Sequence, residues 1–135
     1  MSAERPVVIF VCVQNAGRSQ MSAAFFARAV GQRAMAVSAG TRPAAHVHPE
    51  VVEVMREVGI DLSGARPQAL TDDLQRNADH AVTMGCGDAC PLVRAPVTEW
   101  LIEDPHGRSI DEVRAIRDHI SGLVDDLVQD LGLAS

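Results

Sequence analysis

Residues 6–12, PVVIFVC, form a continuous apolar run rich in β-branched side chains, and no other feature restricts the fold of this chain as strongly. A strand that is apolar on both faces must be covered on both faces, which is the situation of a parallel strand inside an α/β sheet. A polar, glycine-containing turn follows. Beyond it Met21, Ala24, Phe25, Ala29 and Val30 recur near helical spacing from Gln20, and Gly31 stops the run. Strand, loop and helix make the first half of a βαβ unit.

The alternation continues along the chain. Residues 34–39 read as a second strand ending at Gly40, and Pro49 suits the first position of a helix over 50–58, with His48 at its start and Gly59 at its close. Residues 79–84 and 97–102 read as third and fourth strands. A long helix is expected from about Ser109 to Leu131. Ser109 and Glu112 stand at capping-box spacing, and Ile110, Val113, Ile116, Ile120, Leu123, Val124 and Leu127 form its apolar stripe. The pattern predicts an α/β fold: a single domain over residues 1–135 with a four-stranded parallel sheet, helices on both faces and right-handed crossovers.

With 135 residues and 47% hydrophobic content, such a domain can close a core without disulfides. No run approaches the roughly 18 apolar residues of a membrane span, and MSAERP lacks the basic-then-apolar order of a leader. The expectation is a soluble, cytoplasmic monomer. A net charge of −6 argues against a nucleic-acid surface and requires any anionic ligand to be held by a local device. Three cysteines, an odd number, argue against a disulfide framework and leave metal binding or redox chemistry open.

Ligands of parallel sheets bind beyond the carboxyl ends of the strands. There, directly after the first strand, stands Cys12-Val13-Gln14-Asn15-Ala16-Gly17-Arg18-Ser19. A short loop running from strand into helix can turn successive N–H groups inward as an anion nest, with the positive end of the helix behind it. Arg18 adds a planar fork matched to two oxygens of a tetrahedral oxyanion. The same positive surroundings favour the thiolate of Cys12, the nucleophilic form, to which Ser19 can donate a hydrogen bond. Asn15 tolerates left-handed backbone angles, and Gly17 suits a loop that folds its amides toward one point. Val13 to Ser19 are therefore the expected oxyanion-binding residues. A buried cysteine beside a loop arginine that merely pairs at the surface is the plain structural alternative.

The segment VCVQNAGRSQMS resembles the phosphate-binding loop of the low-molecular-weight protein tyrosine phosphatase fold, in particular its arsenate-reductase branch. Ser38-Ala-Gly-Thr41, Met84-Gly-Cys-Gly-Asp-Ala-Cys-Pro91 and Glu103-Asp-Pro105 extend the likeness over nearly the whole chain. The resemblance implies that Asp104 is the general acid protonating the leaving group. Displacing hydroxide or alkoxide from a tetrahedral centre does require a proton donor, and a carboxyl stiffened by Pro105 at a strand end would face the same rim as Cys12. Without Cys12, an ordinary turn-initiating Asp-Pro would be the better reading.

Cys86 and Cys90 separate the branches of that family. A phosphatase, whose cycle water completes, leaves both spare. A reductase must supply two electrons, and two further thiols provide them by thiol–disulfide exchange. The implied sequence is attack of Cys12 on arsenate, loss of water assisted by Asp104, attack of Cys86 on the Cys12 sulfur with release of arsenite, and transfer to a Cys86–Cys90 disulfide. An external thiol system, thioredoxin or mycothiol, then restores the enzyme; no tightly bound cofactor is expected. The chain has no Tyr, and His106 and Gly107 follow Asp104-Pro105 where the phosphatase branch usually carries aromatic residues, which favours a small inorganic substrate. Zinc would need four ligands where only one Cys pair and scattered histidines are present, so no metal site is expected; two inert thiols are the other alternative. The three-residue interval between Cys86 and Cys90 is shorter than in many relatives that resolve internally, and a disulfide there constrains the local backbone. Some relatives hold potassium beside the loop on residues matching Asn15 and Ser38, but the region 66–70 supplies no clear further ligands.

Overall fold

The computed structural model describes residues 5–85 and 96–134. In chain order its elements are strand β1 (Val7–Cys12), helix α1 (Arg18–Val30), a 3-10 turn (Gly31–Arg33), β2 (Met35–Gly40), α2 (Pro49–Arg56), α3 (Asp72–Asn77), β3 (His80–Thr83), β4 (Val97–Glu99) and α4 (Ile110–Asp130). The four strands form one sheet in the order β2-β1-β3-β4, and every neighbouring pair is parallel. Connections from β1 lead first to β2 on one side and then to β3 on the other. The carboxyl end of β1 is thus the point where the winding reverses, and that is where an open α/β sheet leaves a crevice.

β1 is central because it is apolar on both faces. Val8, Phe10 and Cys12 point into the larger core with Met21, Phe25 and Phe26 of α1, Val54 and Met55 of α2, and Val113, Ile120 and Val124 of α4. Ile9 and Val11 point the other way, onto Ala39 and Ala81, where Leu70 and Leu74 cover them. Phe10 is fully buried between Phe26 and Trp100, with ring centroids 5.4 and 6.0 Å away. Burial of such a side chain contributes roughly 1.5–3 kcal/mol, so β1 is fixed in depth and register.

Three differences from the sequence reading have physical causes. Helix α3 was not expected, because in DDLQRN only Leu74 contributes apolar area; Thr71 caps it by accepting from the Leu74 N–H, and Asp72 and Asp73 lie at its positive end. β4 ends at Glu99, three residues before the expected limit, although Trp100 N–H still donates to Thr83 O at 2.9 Å; Trp100 and Ile102 turn inward and Leu101 is left 86% exposed. Arg117 lies buried on the apolar stripe of α4, where Glu57 and the Val54 carbonyl accept from it. The capping box of α4 is formed as expected, with Ser109 and Glu112 bonded reciprocally at 3.2 Å. Among the described residues no helix is long and apolar enough to cross a membrane.

Glu57 ties α2 to α4 through Arg114 and Arg117. Hydrogen bonds from Arg114, reinforced by Arg117, hold its carboxyl down at about 2 rather than 4.5, against a smaller opposing effect of burial. A carboxyl depressed in the folded state stabilises the fold above its unfolded value and loses that contribution as pH falls through the folded one. Glu57→Gln should therefore lower Tm at pH 7. The gap to the parent protein should narrow below pH 4.5 and close near pH 2, in thermal melts followed by circular dichroism.

Candidate active site

The loop after β1 is turned inside out relative to an ordinary turn. Its carbonyls all face outward and are all taken. Cys12 O accepts from Thr41 N–H (3.2 Å), Val13 O from Arg42 (2.8 Å), Gln14 O from Ala44 (2.9 Å), Ala16 O from His48 (2.9 Å) and Gly17 O from Met21 (3.0 Å). Asn15 O accepts from the Gln20 side chain at 3.1 Å. In a trans peptide the next residue's N–H points opposite to the carbonyl. Outward carbonyls on residues 12–17 therefore aim the N–H groups of residues 13–18 at the hollow above Cys12, and those of Val13, Gln14, Ala16 and Gly17 donate to no atom among the described residues. An anion with several oxygens is the ligand that such a hollow fits.

Cys12 sits at the bottom, 2% exposed. Asn15 N–H approaches its Sγ at 3.3 Å and Ser19 Oγ at 2.9 Å. Asn15 has the left-handed backbone its residue type suggested, with φ 52°. Gly17, by contrast, is required for closeness rather than for handedness: a Cβ there would lie 2.7 Å from Pro105 Cγ. The loop and the Asp104-Pro105 turn are thus packed together.

Arg18 reaches from the first turn of α1 across the mouth. Its Nη1 donates to Ile102 O at 3.2 Å, and its Nη2 lies 3.7 Å from Asp104 Oδ2, the arginine being 9% exposed and the carboxylate 53%. Gly85, at the end of β3, makes room for it: a Cβ there would stand 2.2 Å from Arg18 Nη1. Neither Gly85 nor the Ile102 carbonyl carries a local sequence signal for this contact. His106 N–H donates to Asp104 Oδ1 at 3.0 Å, and Arg108 Nε to Asp104 O at 3.1 Å, which fixes the turn. The His106 ring lies 4.9 Å from that of His48, which precedes α2 as expected. Burial and His106 hold the His48 imidazole below its usual range, while Asp104 and Glu50 pull it upward.

Of the expected site residues, Cys12, the loop 13–19 and Asp104 are brought to one rim, with Ser19 against Cys12, Gly17 against Pro105 and Arg18 paired to Asp104. Cys86 and Cys90 lie outside the described residues. Potassium does not fit the Asn15–Ser38 position. Asn15 Oδ1 already accepts from Gln68 N–H (2.9 Å) and Gln20 Nε2 (3.3 Å), and the Ser38 carbonyl accepts from Gln68 Nε2 (2.8 Å). Gln20 and Gln68, given no site role in the sequence reading, hold the oxygens that a cation would need.

A cysteine at the carboxyl end of the central strand, a ring of inward amides, an arginine fork and a carboxylate across the mouth define a thiol enzyme acting on tetrahedral oxyanions. The family model described as low molecular weight phosphotyrosine protein phosphatase matches residues 7–134, and the chain belongs to that family. A Halobacterium salinarum protein provisionally named an arsenate reductase is 45% identical over 124 residues, 87% of each chain. A Synechocystis protein named glutaredoxin arsenate reductase is 32% identical over 125 residues, 90% of this chain and 95% of its own. The solved structure of a thioredoxin-dependent arsenate reductase from Corynebacterium glutamicum matches with a TM-score of 0.84 at 37% identity, covering 98% of this chain; this chain spans 65% of that one.

If Arg18 grips two oxygens at once, lysine cannot replace it. Arg18→Lys should weaken phosphate or sulfate binding, measured by calorimetry, by about 2–3 kcal/mol, roughly 30- to 150-fold. A loss within about three-fold of the parent would reduce Arg18 to a point charge.

Proposed function

We propose that this chain, working as one domain over residues 1–135, is an arsenate reductase in which Cys12 is the nucleophile, Arg18 and the amides of residues 13–19 bind the oxyanion, and Asp104 is the proton donor. The observation that carries this reading is the buried Cys12 thiol beneath inward amides, with the guanidinium of Arg18, from the same loop, paired to Asp104 at 3.7 Å. Cys12 Sγ bonds to arsenic as one As–O bond breaks, and that oxygen leaves as water with the proton of Asp104. Cys86 follows Gly85, whose backbone lies against Arg18, and its thiolate is assigned the second attack, on Cys12 Sγ. The S–As bond breaks with its electron pair left on arsenic: As(V) becomes As(III) and leaves as arsenite, while the two sulfurs are oxidised to a disulfide. Cys90 then displaces Cys12 to give Cys86–Cys90.

An external thiol must reduce that last disulfide. Names among the relatives include a thioredoxin-dependent and a glutaredoxin-type reductase, which support a thioredoxin-fold donor; mycothiol is the other candidate. A relay that starts from free thiolates is suited to a reducing compartment, so the proposed location is the cytoplasm, and the proposed state is a monomer. The second reading, a phosphomonoesterase, is supported by the family description and uses the same nucleophile, arginine and carboxylate, with water in place of Cys86.

The deciding assay is arsenate reduction run in parallel with thioredoxin plus its reductase and with a mycothiol system, alongside hydrolysis of an aryl phosphate. Arsenate-dependent turnover is expected, and Cys12→Ser should abolish it together with any phosphatase activity, a loss of at least about 1,000-fold. Aryl phosphate hydrolysis with no arsenate reduction under either donor would reverse the assignment.

The relay is read separately, in single turnover. Cys86→Ser should form the Cys12 adduct and stall. Cys90→Ser should release about one equivalent of arsenite, accumulate a Cys12–Cys86 disulfide and fail to recycle with thioredoxin, because each exchange needs a thiolate able to reach the preceding bond. Mass spectrometry after alkylation identifies the protected cysteines. Full turnover of both variants with mycothiol would leave Cys12 as the only essential thiol.

A further inference from the structure

Five of the six carbonyls that point outward from the loop, those of Cys12, Val13, Gln14, Ala16 and Gly17, are held by backbone N–H groups, which no substitution other than proline removes. The sixth, that of Asn15, is held by a side chain. Gln20 is 7% exposed, and its Nε2 donates to Asn15 O (3.1 Å), to Asn15 Oδ1 (3.3 Å) and, at 3.4 Å, to Arg66 O. One amide group therefore grips both the backbone and the side chain of the residue in the left-handed conformation. Asparagine adopts that conformation more readily than most residues, yet it remains a minority state that surrounding contacts must hold.

The consequence runs to the nucleophile. With its Oδ1 accepting from Gln20 and from Gln68 N–H, the Asn15 amide can be oriented only one way, and its Nδ2 donates to Ser19 Oγ at 2.7 Å. A hydroxyl has one hydrogen. Since Ser19 Oγ accepts from Asn15, that hydrogen is free to point at Cys12 Sγ, 2.9 Å away, so the sulfur receives hydrogen bonds from both Ser19 and the Asn15 N–H. We propose that Gln20 is a positioning residue for the nucleophile: its amide fixes the backbone and the side-chain orientation of Asn15, and thereby the direction of the Asn15–Ser19–Cys12 hydrogen-bond chain. The side-chain amide of Gln20 donates to Asn15 and Arg66 and acts on Cys12 through Asn15.

The proposal rests on Cys12 being the nucleophile, as in the function proposed above, but not on arsenate being the substrate. Iodoacetamide reads the thiolate directly, so failure here is distinguishable from absence of arsenate reduction. In Gln20→Glu, a carboxylate faces the oxygens of Asn15 and Arg66, and their repulsion displaces the backbone and side chain of Asn15 from Ser19. In Gln20→Met the donors are lost with no charge added, which separates hydrogen bonding from electrostatic repulsion. Both variants should alkylate Cys12 about ten-fold more slowly at pH 7, quantified on the Cys12 peptide by mass spectrometry, with the pH profile displaced to the alkaline side by about one unit. A change in melting temperature with an unchanged alkylation profile in Gln20→Met would overturn the proposal, since a merely structural glutamine would behave so. If neither variant folds, the parent protein decides by NMR: the Gln20 side-chain amide protons should exchange slowly, and rapid exchange would overturn it equally.

Discussion

The site depends on one arrangement, the capture of the loop carbonyls by the chain that follows β2. Thr41, Arg42, Ala44 and His48 donate in succession to Cys12, Val13, Gln14 and Ala16, so residues 41–48 form a collar around residues 12–16. Amides cannot be gathered about one point unless their carbonyls find partners elsewhere, because each buried carbonyl left unpaired costs on the order of 1–3 kcal/mol. The collar exists because β2 pairs in parallel with β1 and leaves the sheet at Gly40, opposite Cys12. Sheet register, collar and nest are therefore one structure. A change in how β2 emerges would alter the anion site before any catalytic side chain was touched.

The Cys12 side of this arrangement was legible in the sequence because it is local. PVVIFVC announces a strand buried on both faces, and the interval from Cys12 to Arg18 announces a loop of the length that turns into a helix. Ser109 and Glu112 marked the start of α4 for the same reason: capping is decided within one turn. What the sequence concealed is tertiary. The approach of Gly85 to Arg18 spans 67 residues, the hydrogen bond from Arg18 to the Ile102 carbonyl spans 84, and neither leaves a periodic trace. α3 was hidden by its polarity, since a six-residue helix that contributes one leucine to the core has no stripe to read. Gln20 looked like an ordinary first-turn residue until the backbone of Asn15 was seen beneath it.

Charge sets the second constraint. A chain of net charge −6 repels a dianion at long range, so binding must be achieved at short range, by dipoles and by a cation already in place. Arg18 is held in advance by Ile102 O, by its proximity to Asp104 and by the missing side chain of Gly85. Preorganisation of this kind avoids the entropic cost of immobilising a long side chain when ligand arrives. It also keeps the guanidinium of Arg18 and the carboxylate of Asp104 3.7 Å apart, so an oxyanion that takes the fork of Arg18 comes within reach of that carboxyl.

The same cradle serves hydrolysis and reduction, because attack by a thiolate on phosphorus or on arsenic asks for the same amides, the same fork and the same acid. The two chemistries diverge one step later, in what attacks next and where. Water must strike the phosphorus of a phosphocysteine, whereas a thiolate must strike sulfur and leave an electron pair on arsenic. Phosphorus(V) does not accept that pair under biological conditions and arsenic(V) does, so a second thiol beside the cradle is of use only to the reductase. In this chain the residue that follows Gly85 is a cysteine, and Gly85 is also the residue whose missing side chain admits the Arg18 guanidinium. Under the proposed relay, one short stretch after β3 both leaves room for the Arg18 guanidinium and carries the first resolving thiol.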